Sequence, residues 1–189
     1  MIQQSRTSKH APATQRAYDE LLVTMVRAGD RAALERLAVR WQPKLIRTAT
    51  RYLGTEAEAQ IAVQECWIAI IKGVHRLKSP AKFAPWVYGI LRRKCADAIR
   101  TAIKARDREA VLFDDAASQT SADPTDGPAI RRALASLPPD QRLAAHLYFV
   151  EGLTLVEISE VQDVPLGTAT SRLFHARRQL KAALSGDDQ

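Results

Sequence analysis

The feature that most constrains the fold is a three-and-four spacing of apolar residues, with no strand-like alternation beside it. From Leu34 to Leu53 apolar side chains recur at this spacing, which is the period of an amphipathic helix. Because proline lacks a backbone N–H, Pro43 is predicted to interrupt this helix and to start another. The chain is 46% hydrophobic, which is enough for a core, and we expect an all-α fold.

Two more helices are predicted in the first part of the chain. Thr55 and Glu58 have the spacing of a capping box, in which the two residues satisfy the first turn of a new helix. The stretch from His75 to Pro85 contains prolines and basic residues and is typical of a loop. The helical pattern resumes at Trp86.

From Asp107 to Pro128 the periodicity is lost and Asp, Ser, Thr, Pro and Gly accumulate, as in a linker. We therefore predict two small helical domains joined by a flexible linker. The predicted parts are a flexible extension over 1–17, a first domain over 18–106, a linker over 107–129 and a second domain over 130–189. The apolar run Val111–Phe113 is unusual for a free tether and indicates docking on another surface.

Charge is distributed unevenly along the chain, whose net charge is +7. Residues 1–103 carry 18 basic and 8 acidic side chains, residues 104–129 carry 3 and 6, and residues 130–189 carry 7 and 7. Between Lys72 and Arg106 ten Lys or Arg accompany a single acid, Asp97. Such a segment favours a polyanionic partner, although a solvated helix face has the same composition.

The second domain ends in a pattern typical of DNA binding. Thr154 and Glu157 form a second capping box that opens a short helix, and Val164-Pro165 marks a turn. A longer helix follows to about Leu184 and has no acidic residue up to Lys181. A short helix, a tight turn and a basic longer helix indicate a helix-turn-helix, the alternative being two ordinary helices of a bundle.

Several classes of protein are disfavoured. No apolar run reaches the roughly 18 residues of a membrane span, and a cytoplasmic protein is expected. Cys66 and Cys95 are far apart, the four histidines are dispersed, and no phosphate-binding loop or nucleophile motif occurs. We predict no catalytic residue, no metal and no cofactor, and hence no enzyme.

The order and spacing of short motifs resemble the extracytoplasmic-function sigma factors of bacterial RNA polymerase, over roughly Tyr18 to Leu184. The motifs are Gln64-Glu65 with Trp67, the run Phe83 to Ile90, Asp97 with Arg100, the run Leu137 to Arg142, Gly152 to Ile158, and Pro165 to Arg177. The resemblance implies a region-two domain, a linker and a region-four domain. It also implies core RNA polymerase and promoter DNA, duplex and melted, as partners, with an anti-sigma factor or other regulator as a further expectation.

Holding melted promoter DNA requires aromatic stacking beside a basic groove. The residues expected at the minus-ten element are Lys78, Lys82, Phe83, Trp86, Tyr88, Arg92, Arg93, Asp97 and Arg100. For each aromatic residue the alternative is packing in the core. For Asp97 the alternative is an ion pair with Arg93 or Arg100.

The minus-thirty-five element is expected to contact the first turns of the last helix and its basic residues. The residues expected there are Gly167, Thr168, Thr170, Ser171, Arg172, His175, Arg177 and Arg178. Arg172 is the first choice for direct base readout, whereas His175, Arg177 and Arg178 are expected to touch phosphates. For Arg177 the alternative is an internal salt bridge.

The resemblance assigns polymerase binding to Glu58, Gln64, Glu65 and Trp67. Family members usually carry a cluster of acidic residues before the Gln-Glu pair, and here that stretch is Glu58-Ala59-Gln60-Ile61. Electrostatic docking on the polymerase clamp is therefore expected to be weaker than usual. The basic residue usual near the start of the last helix is also replaced, by Thr170.

Two alternatives remain open at the sequence level. A helix-turn-helix regulator could bind duplex DNA without polymerase, but its first domain would then be a ligand or dimer domain rather than a basic segment with aromatics. The acidic linker could thread a basic channel of the polymerase, or fold back and mask the basic segment of its own chain.

Overall fold

The computed structural model describes residues 11–109 and 133–185, with side chains for residues 13–105 and 133–182. Within these ranges the chain is helical and has no strand. The first domain contains helices α1 (Ala11–Arg27), α2 (Arg31–Leu53), α3 (Glu56–Gly73) and α4 (Phe83–Glu109), with 3-10 turns at Val74–Arg76 and Pro80–Lys82. The second contains α5 (Pro139–Phe149), α6 (Leu155–Gln162) and α7 (Leu166–Ser185). The predicted all-α fold with two helical domains is confirmed.

Some predicted boundaries were wrong. Residues 11–17, expected to be a flexible extension, belong to α1, which is held in place because its Leu22 and Val23 are buried. Helix α4 starts at Phe83 rather than Trp86 and extends to Glu109, past the predicted start of the linker. The remaining linker residues, including Val111–Phe113, lie outside the described residues.

The prediction that Pro43 starts a new helix was also wrong, because α2 continues through it. Proline removes the hydrogen bond to the carbonyl four residues earlier, which belongs to Val39. The Val39 side chain is 78% exposed, so water can reach this part of the helix. Trp41 and Leu45 on either side of the proline are buried, and their packing stabilises the continuous helix.

Side-chain caps begin the helices where the spacing predicted them. The Thr55 hydroxyl accepts a hydrogen bond from the Glu58 backbone N–H, and itself donates to the Glu58 carboxylate at 2.8 Å. At α6 both halves of the capping box form, with the Glu157 N–H 3.2 Å from the Thr154 hydroxyl and the Thr154 N–H 2.7 Å from the Glu157 carboxylate. These caps fix where α3 and α6 begin.

The two domains share one hydrophobic core. Helix α5 packs on α2, and α6 packs on α4. Leu147 and Ile158 of the second domain belong to the same buried cluster as Trp41 of the first. Arg142 adds polar links, since its guanidinium donates to the carbonyl oxygen of Arg51 at 3.0 Å and to carbonyls of the segment before α5.

Candidate nucleic-acid interface

A surface cleft lined mainly by the first domain, with Glu160 of the second domain at its edge, contains Trp86. Trp86 is half-buried in this cleft of about 340 Å³, which Lys82 and Arg93 also line. A Cβ atom at Gly73 would lie 3.0 Å from the Trp86 ring, so this glycine makes room for the indole. The cleft thus offers one partly exposed aromatic ring beside two cations and one carboxylate, that of Glu160, which pairs with Lys82.

The prediction that Phe83 and Tyr88 bind DNA was wrong, because both side chains lie in the core. Phe83 is 1% exposed and packs edge-on against Trp41 with ring centroids 5.1 Å apart, and Tyr88 is 2% exposed. Neither ring can stack on a base without opening the core. The sequence held the signal, since Phe83 lies four residues before Val87 and Tyr88 lies three residues before Leu91, both of the predicted buried stripe.

The basic residues of the expected minus-ten set fall into two groups. Lys78 and Arg93 are exposed, and neither forms an ion pair with another residue in the described part of the chain. The others form ion pairs: Lys82 with Glu160 at 2.8 Å, Arg92 with Asp140 at 3.4 Å, and Arg100 with Asp97. For Asp97 the structure therefore shows the ion pair that was its alternative role.

Helix α7 presents an exposed polar face. The Thr170 hydroxyl donates to the Leu166 carbonyl at 2.9 Å and the Ser171 hydroxyl to the Gly167 carbonyl at 3.0 Å, which leaves their oxygen lone pairs toward solvent. Thr168 is half-buried in the first turn. The exposed members of the expected minus-thirty-five set are Gly167, Thr170, Ser171, His175, Arg177 and Arg178.

Arg172, the first choice for base readout, forms contacts inside the protein. Its guanidinium donates to the Gln162 side-chain oxygen at 2.8 Å and lies 2.9 Å from the Asp140 carboxylate. Gln162 is 1% exposed and in turn donates to the Asp140 carbonyl. The guanidinium therefore links three helices of the second domain instead of projecting toward a groove.

Sequence reasoning missed Phe174. Its side chain is 61% exposed on α7 and meets the ring of His175 edge-on at 5.8 Å between centroids. The helical spacing carried the signal, because Phe174 lies three and four residues from Ser171 and Thr170 of the expected DNA face. An apolar ring there could contact the thymine methyl group in a major groove.

The expected polymerase-binding residues lie on α3. Glu58, Gln64 and Glu65 are exposed, and Glu65 pairs with Lys94 at 3.1 Å. Trp67 is half-buried, with its indole N–H donating to the Gln42 side chain. Sequence reasoning missed an exposed apolar stripe beside them, formed by Ile61, Ile68 and Ile71.

The two cysteine thiols are buried. Burial raises the pKa of the Cys66 and Cys95 thiols to about 12, so both stay protonated and unreactive at neutral pH. No cluster of potential metal ligands occurs in the described part of the chain. Nor is any described helix long and apolar enough to cross a membrane.

A helix-turn-helix packed on a basic domain with an aromatic cleft defines a DNA-binding protein of the transcription apparatus. The chain matches the family model of sigma-70 region 2 over residues 37–104 and that of sigma-70 region 4 over residues 128–180. It belongs to the sigma-70 family of RNA polymerase sigma factors, in the extracytoplasmic-function group. The resemblance seen in the sequence is confirmed, and the two domains are those with which sigma factors bind core RNA polymerase and promoter DNA.

Similar proteins match nearly the whole chain. The "ECF RNA polymerase sigma-E factor" of Haemophilus influenzae is 27% identical over 177 residues, covering 86% of this chain and 93% of the relative. The "RNA polymerase sigma-H factor" of Pseudomonas aeruginosa is 29% identical over 188 residues, covering 88% and 93%. The function as a transcription initiation factor follows from the family.

Two solved structures share the fold. The sigma factor RpoE of Bartonella quintana, in complex with the anti-sigma factor NepR, gives a TM-score of 0.69 at 19% identity, covering 80% of this chain and 96% of that one. CnrH in complex with the cytosolic domain of CnrY gives 0.64 at 21% identity, covering 90% and 99%. The likeness thus extends over both helical domains.

Proposed function

We propose that this sigma factor directs core RNA polymerase to promoters through three separate surfaces: the cleft at Trp86, the exposed face of α7 and the exposed face of α3. The observation that carries the proposal is the match to both sigma regions, in order, on a chain whose exposed basic and aromatic residues fall within those regions.

The cleft at Trp86 would hold a base of the melted minus-ten strand. Stacking on the indole would hold the base, while Lys78 and Arg93 would neutralise the phosphates that follow it. Lys82, Arg92 and Arg100 would join this surface once released from their ion pairs. Phe83 and Tyr88 would support the cleft from beneath as core residues.

The exposed face of α7 would enter the major groove at the minus-thirty-five element. Thr170, Ser171 and Phe174 lie in its first turns, where a recognition helix reaches base edges. Arg177 and Arg178 lie further along and would contact phosphates. With Arg172 held by Asp140, specificity would rest on hydroxyl and methyl contacts.

The exposed face of α3 would dock on the polymerase with few charges. Its isoleucine stripe would provide apolar contact area beside Gln64 and Trp67, and Glu58 and Glu65 would supply the remaining carboxylates. The role is binding, without catalysis or cofactor, and would be exercised in the cytoplasm, where RNA polymerase works. The likeness to RpoE, which was solved in complex with the anti-sigma factor NepR, supports an anti-sigma partner here as well.

Reconstitution tests this proposal against the alternative of a polymerase-independent regulator. The purified chain is mixed with core RNA polymerase, the complex is isolated by gel filtration, and promoters are selected from a randomised library by run-off transcription. We expect co-elution and a selected pair of spaced elements. Tight binding of duplex DNA by the free chain, without co-elution or transcription, would support the regulator instead.

A further inference from the structure

The indole ring of Trp67 on α3 is held by a residue of the neighbouring helix. Its N–H group donates to the side-chain oxygen of Gln42 on α2 at 2.5 Å. An indole nitrogen can only donate, so the carbonyl oxygen of the Gln42 amide must face the ring. The contact therefore fixes the orientation of both side chains.

This hydrogen bond lies at the surface and not in the core. Gln42 is exposed, whereas Trp67 is half-buried and packs against the core. A surface hydrogen bond adds little to stability, because both groups would bond to water if it were broken. The contact is therefore better suited to orienting a partly exposed ring than to holding α2 and α3 together.

The surroundings of the pair are apolar on both helices. A two-residue turn joins α2 to α3, so the two helices run antiparallel. Val39 lies one turn before Gln42 and Ile71 one turn after Trp67, and the two residues are therefore on the same side of the pair. Their side chains are 78% and 51% exposed. The Trp67 ring thus lies in an apolar surface to which both helices contribute.

Charged residues next to this surface are paired within the chain. Glu65, two positions before Trp67, pairs with Lys94 at 3.1 Å, and Arg40 of α2 pairs with Asp19. The fit of apolar groups, more than ion pairing, is then expected to determine the affinity of a partner that docks here. Tryptophan is among the residues that most often dominate the binding energy of an interface, so the orientation of this ring matters.

We propose that Gln42 is a positioning residue for polymerase binding, which holds the Trp67 indole in the orientation that the polymerase receives. The inference rests on the proposed function of α3 as the docking face. Without the Gln42 oxygen the indole N–H turns to water and the ring takes up other rotamers. Binding must then fix the ring at a cost in conformational entropy, which the hydrogen bond avoids in the free chain.

The variant Gln42→Ala tests the inference, because it removes the acceptor and keeps a good helix former. We expect affinity for core polymerase to fall by about two- to tenfold in a fluorescence titration of labelled chain, the range for a hydrogen bond between neutral groups. The urea midpoint should stay unchanged. The matched control is Gln15→Ala, the same change at an exposed position of α1, which should bind normally. Normal affinity in Gln42→Ala would overturn the inference.

A double-mutant cycle shows whether Gln42 acts through Trp67. Trp67→Phe keeps an aromatic ring but has no N–H group to hold, so Gln42→Ala should cause no further loss of affinity in that background. Gln42→Glu keeps an acceptor oxygen and should bind no more weakly than the unmodified chain. The positioning role is overturned if the two single losses add in the double variant, or if Gln42→Glu loses as much affinity as Gln42→Ala.

The indole N–H signal of Trp67 in a 15N-labelled chain gives a readout that a change in stability would not move. The chain has three tryptophans, and Trp67→Phe identifies the signal by its loss. We expect this N–H group to exchange faster with water in Gln42→Ala and at the unmodified rate in Gln42→Glu. An unchanged signal in Gln42→Ala would show that the glutamine does not hold the ring, and would overturn the inference.

The same titrations separate this inference from the proposed function. If the unmodified chain binds core polymerase and Gln42→Ala binds equally well, the inference fails and the proposed function stands. If the unmodified chain does not bind core polymerase, the proposed function itself fails.

Discussion

The hydroxyl oxygen of Thr48 lies 3.0 Å from Nε2 of His146, although the two residues belong to different domains. His146 is 2% exposed, and Glu151 lies 3.5 Å from the same nitrogen. The Tyr88 hydroxyl and the guanidinium groups of Arg47 and Arg51 also face this group. A buried polar cluster therefore joins the two domains at the centre of their interface.

This cluster predicts that stability falls in mild acid. Burial lowers the pKa of His146 below its usual 6.5, against the opposing effect of Glu151, so the folded chain keeps the imidazole neutral. The unfolded chain takes up this proton more readily, and stability is therefore complete above about pH 6.5 and decreases as the pH falls below it. The slope for one proton is at most about 1.4 kcal/mol per pH unit.

The carboxylate of Glu151 affects the stability of the fold at lower pH than His146 does. Burial alone would raise its pKa, but the polar groups of His146, Tyr88 and Arg47 around the carboxylate, with the Arg47 guanidinium donating to it at 3.1 Å, outweigh burial and lower the pKa to about 2. Its contribution to stability is therefore present above its usual pKa of 4.5 and is lost only toward pH 2.

The effect of His146 is tested by urea denaturation. Between about pH 7.5 and 5.5 the urea midpoint should fall in the unmodified chain and fall less in His146→Gln. The exposed-histidine variant His175→Gln should keep the full slope, and an unchanged slope in His146→Gln would assign the effect elsewhere.

The aromatic residues of α4 should separate into a stability role and a binding role. Phe83→Ala leaves a cavity in the core and is expected to cost about 3–5 kcal/mol of unfolding free energy. Trp86→Ala should cost less unfolding free energy than Phe83→Ala, and it should weaken the binding of melted DNA by about 1–3 kcal/mol. Urea denaturation measures the first effect and permanganate reactivity of the promoter measures the second. Normal promoter melting by Trp86→Ala would place the indole in a purely structural role.

The helices and caps were predictable from sequence because local spacing determines them. Thr55 and Thr154 began helices as their capping spacing predicted. Pro43 misled the prediction because tertiary packing of Trp41 and Leu45 outweighs one missing hydrogen bond. Helix α1 is held by the burial of Leu22, Val23 and Val26, which lie well after its exposed first turns, so no local signal in residues 11–17 predicted it.

The candidate site was predictable in its location but not in its individual contacts. The sequence predicted that aromatic and basic residues lie together on α4. In the structure Trp86 is partly exposed, whereas Phe83 and Tyr88 are buried in the core. The partner of Arg172 is Asp140, which lies on another helix far back along the chain, and no local pattern indicates that ion pair. Long-range packing between the domains decided which charges remained free.

Phe174 should contribute to discrimination between promoters. Because the ring is exposed on the face of α7 that we propose enters the major groove, Phe174→Ala is expected to relax preference at one position of the minus-thirty-five element by about 1–3 kcal/mol. Arg178→Ala should weaken binding to all sequences alike and reduce the salt dependence. Competition assays with cognate and scrambled duplexes measure both effects. A uniform loss in Phe174→Ala would place the ring on the DNA backbone or in the fold.

Arg172 should act on stability and leave sequence preference unchanged. Arg172→Ala removes the partner of the buried Gln162 side-chain oxygen, and an unsatisfied buried acceptor costs about 1–3 kcal/mol. Thermal unfolding measures the loss, and Arg172→Lys, which keeps the charge, should recover part of it. Altered base preference at normal stability would restore Arg172 to a reading role and show that it leaves Asp140 when DNA binds.

The weakly charged face of α3 should gain affinity for the polymerase when its missing carboxylates are restored. Ile61 is 61% exposed, so Gln60→Glu with Ile61→Asp is expected to add two carboxylates without disturbing the core. If this face docks on a basic surface of the polymerase, affinity for core polymerase should rise and depend more steeply on salt. The control is Ile61→Asn alone, which removes the same apolar contact but adds no charge. Fluorescence titration of labelled chain with core polymerase at several salt concentrations measures both quantities. If the acidic variant and Ile61→Asn lose affinity equally, the isoleucine stripe provides the contact and added charge has no role there; unchanged affinity in both would mean that the polymerase binds another surface.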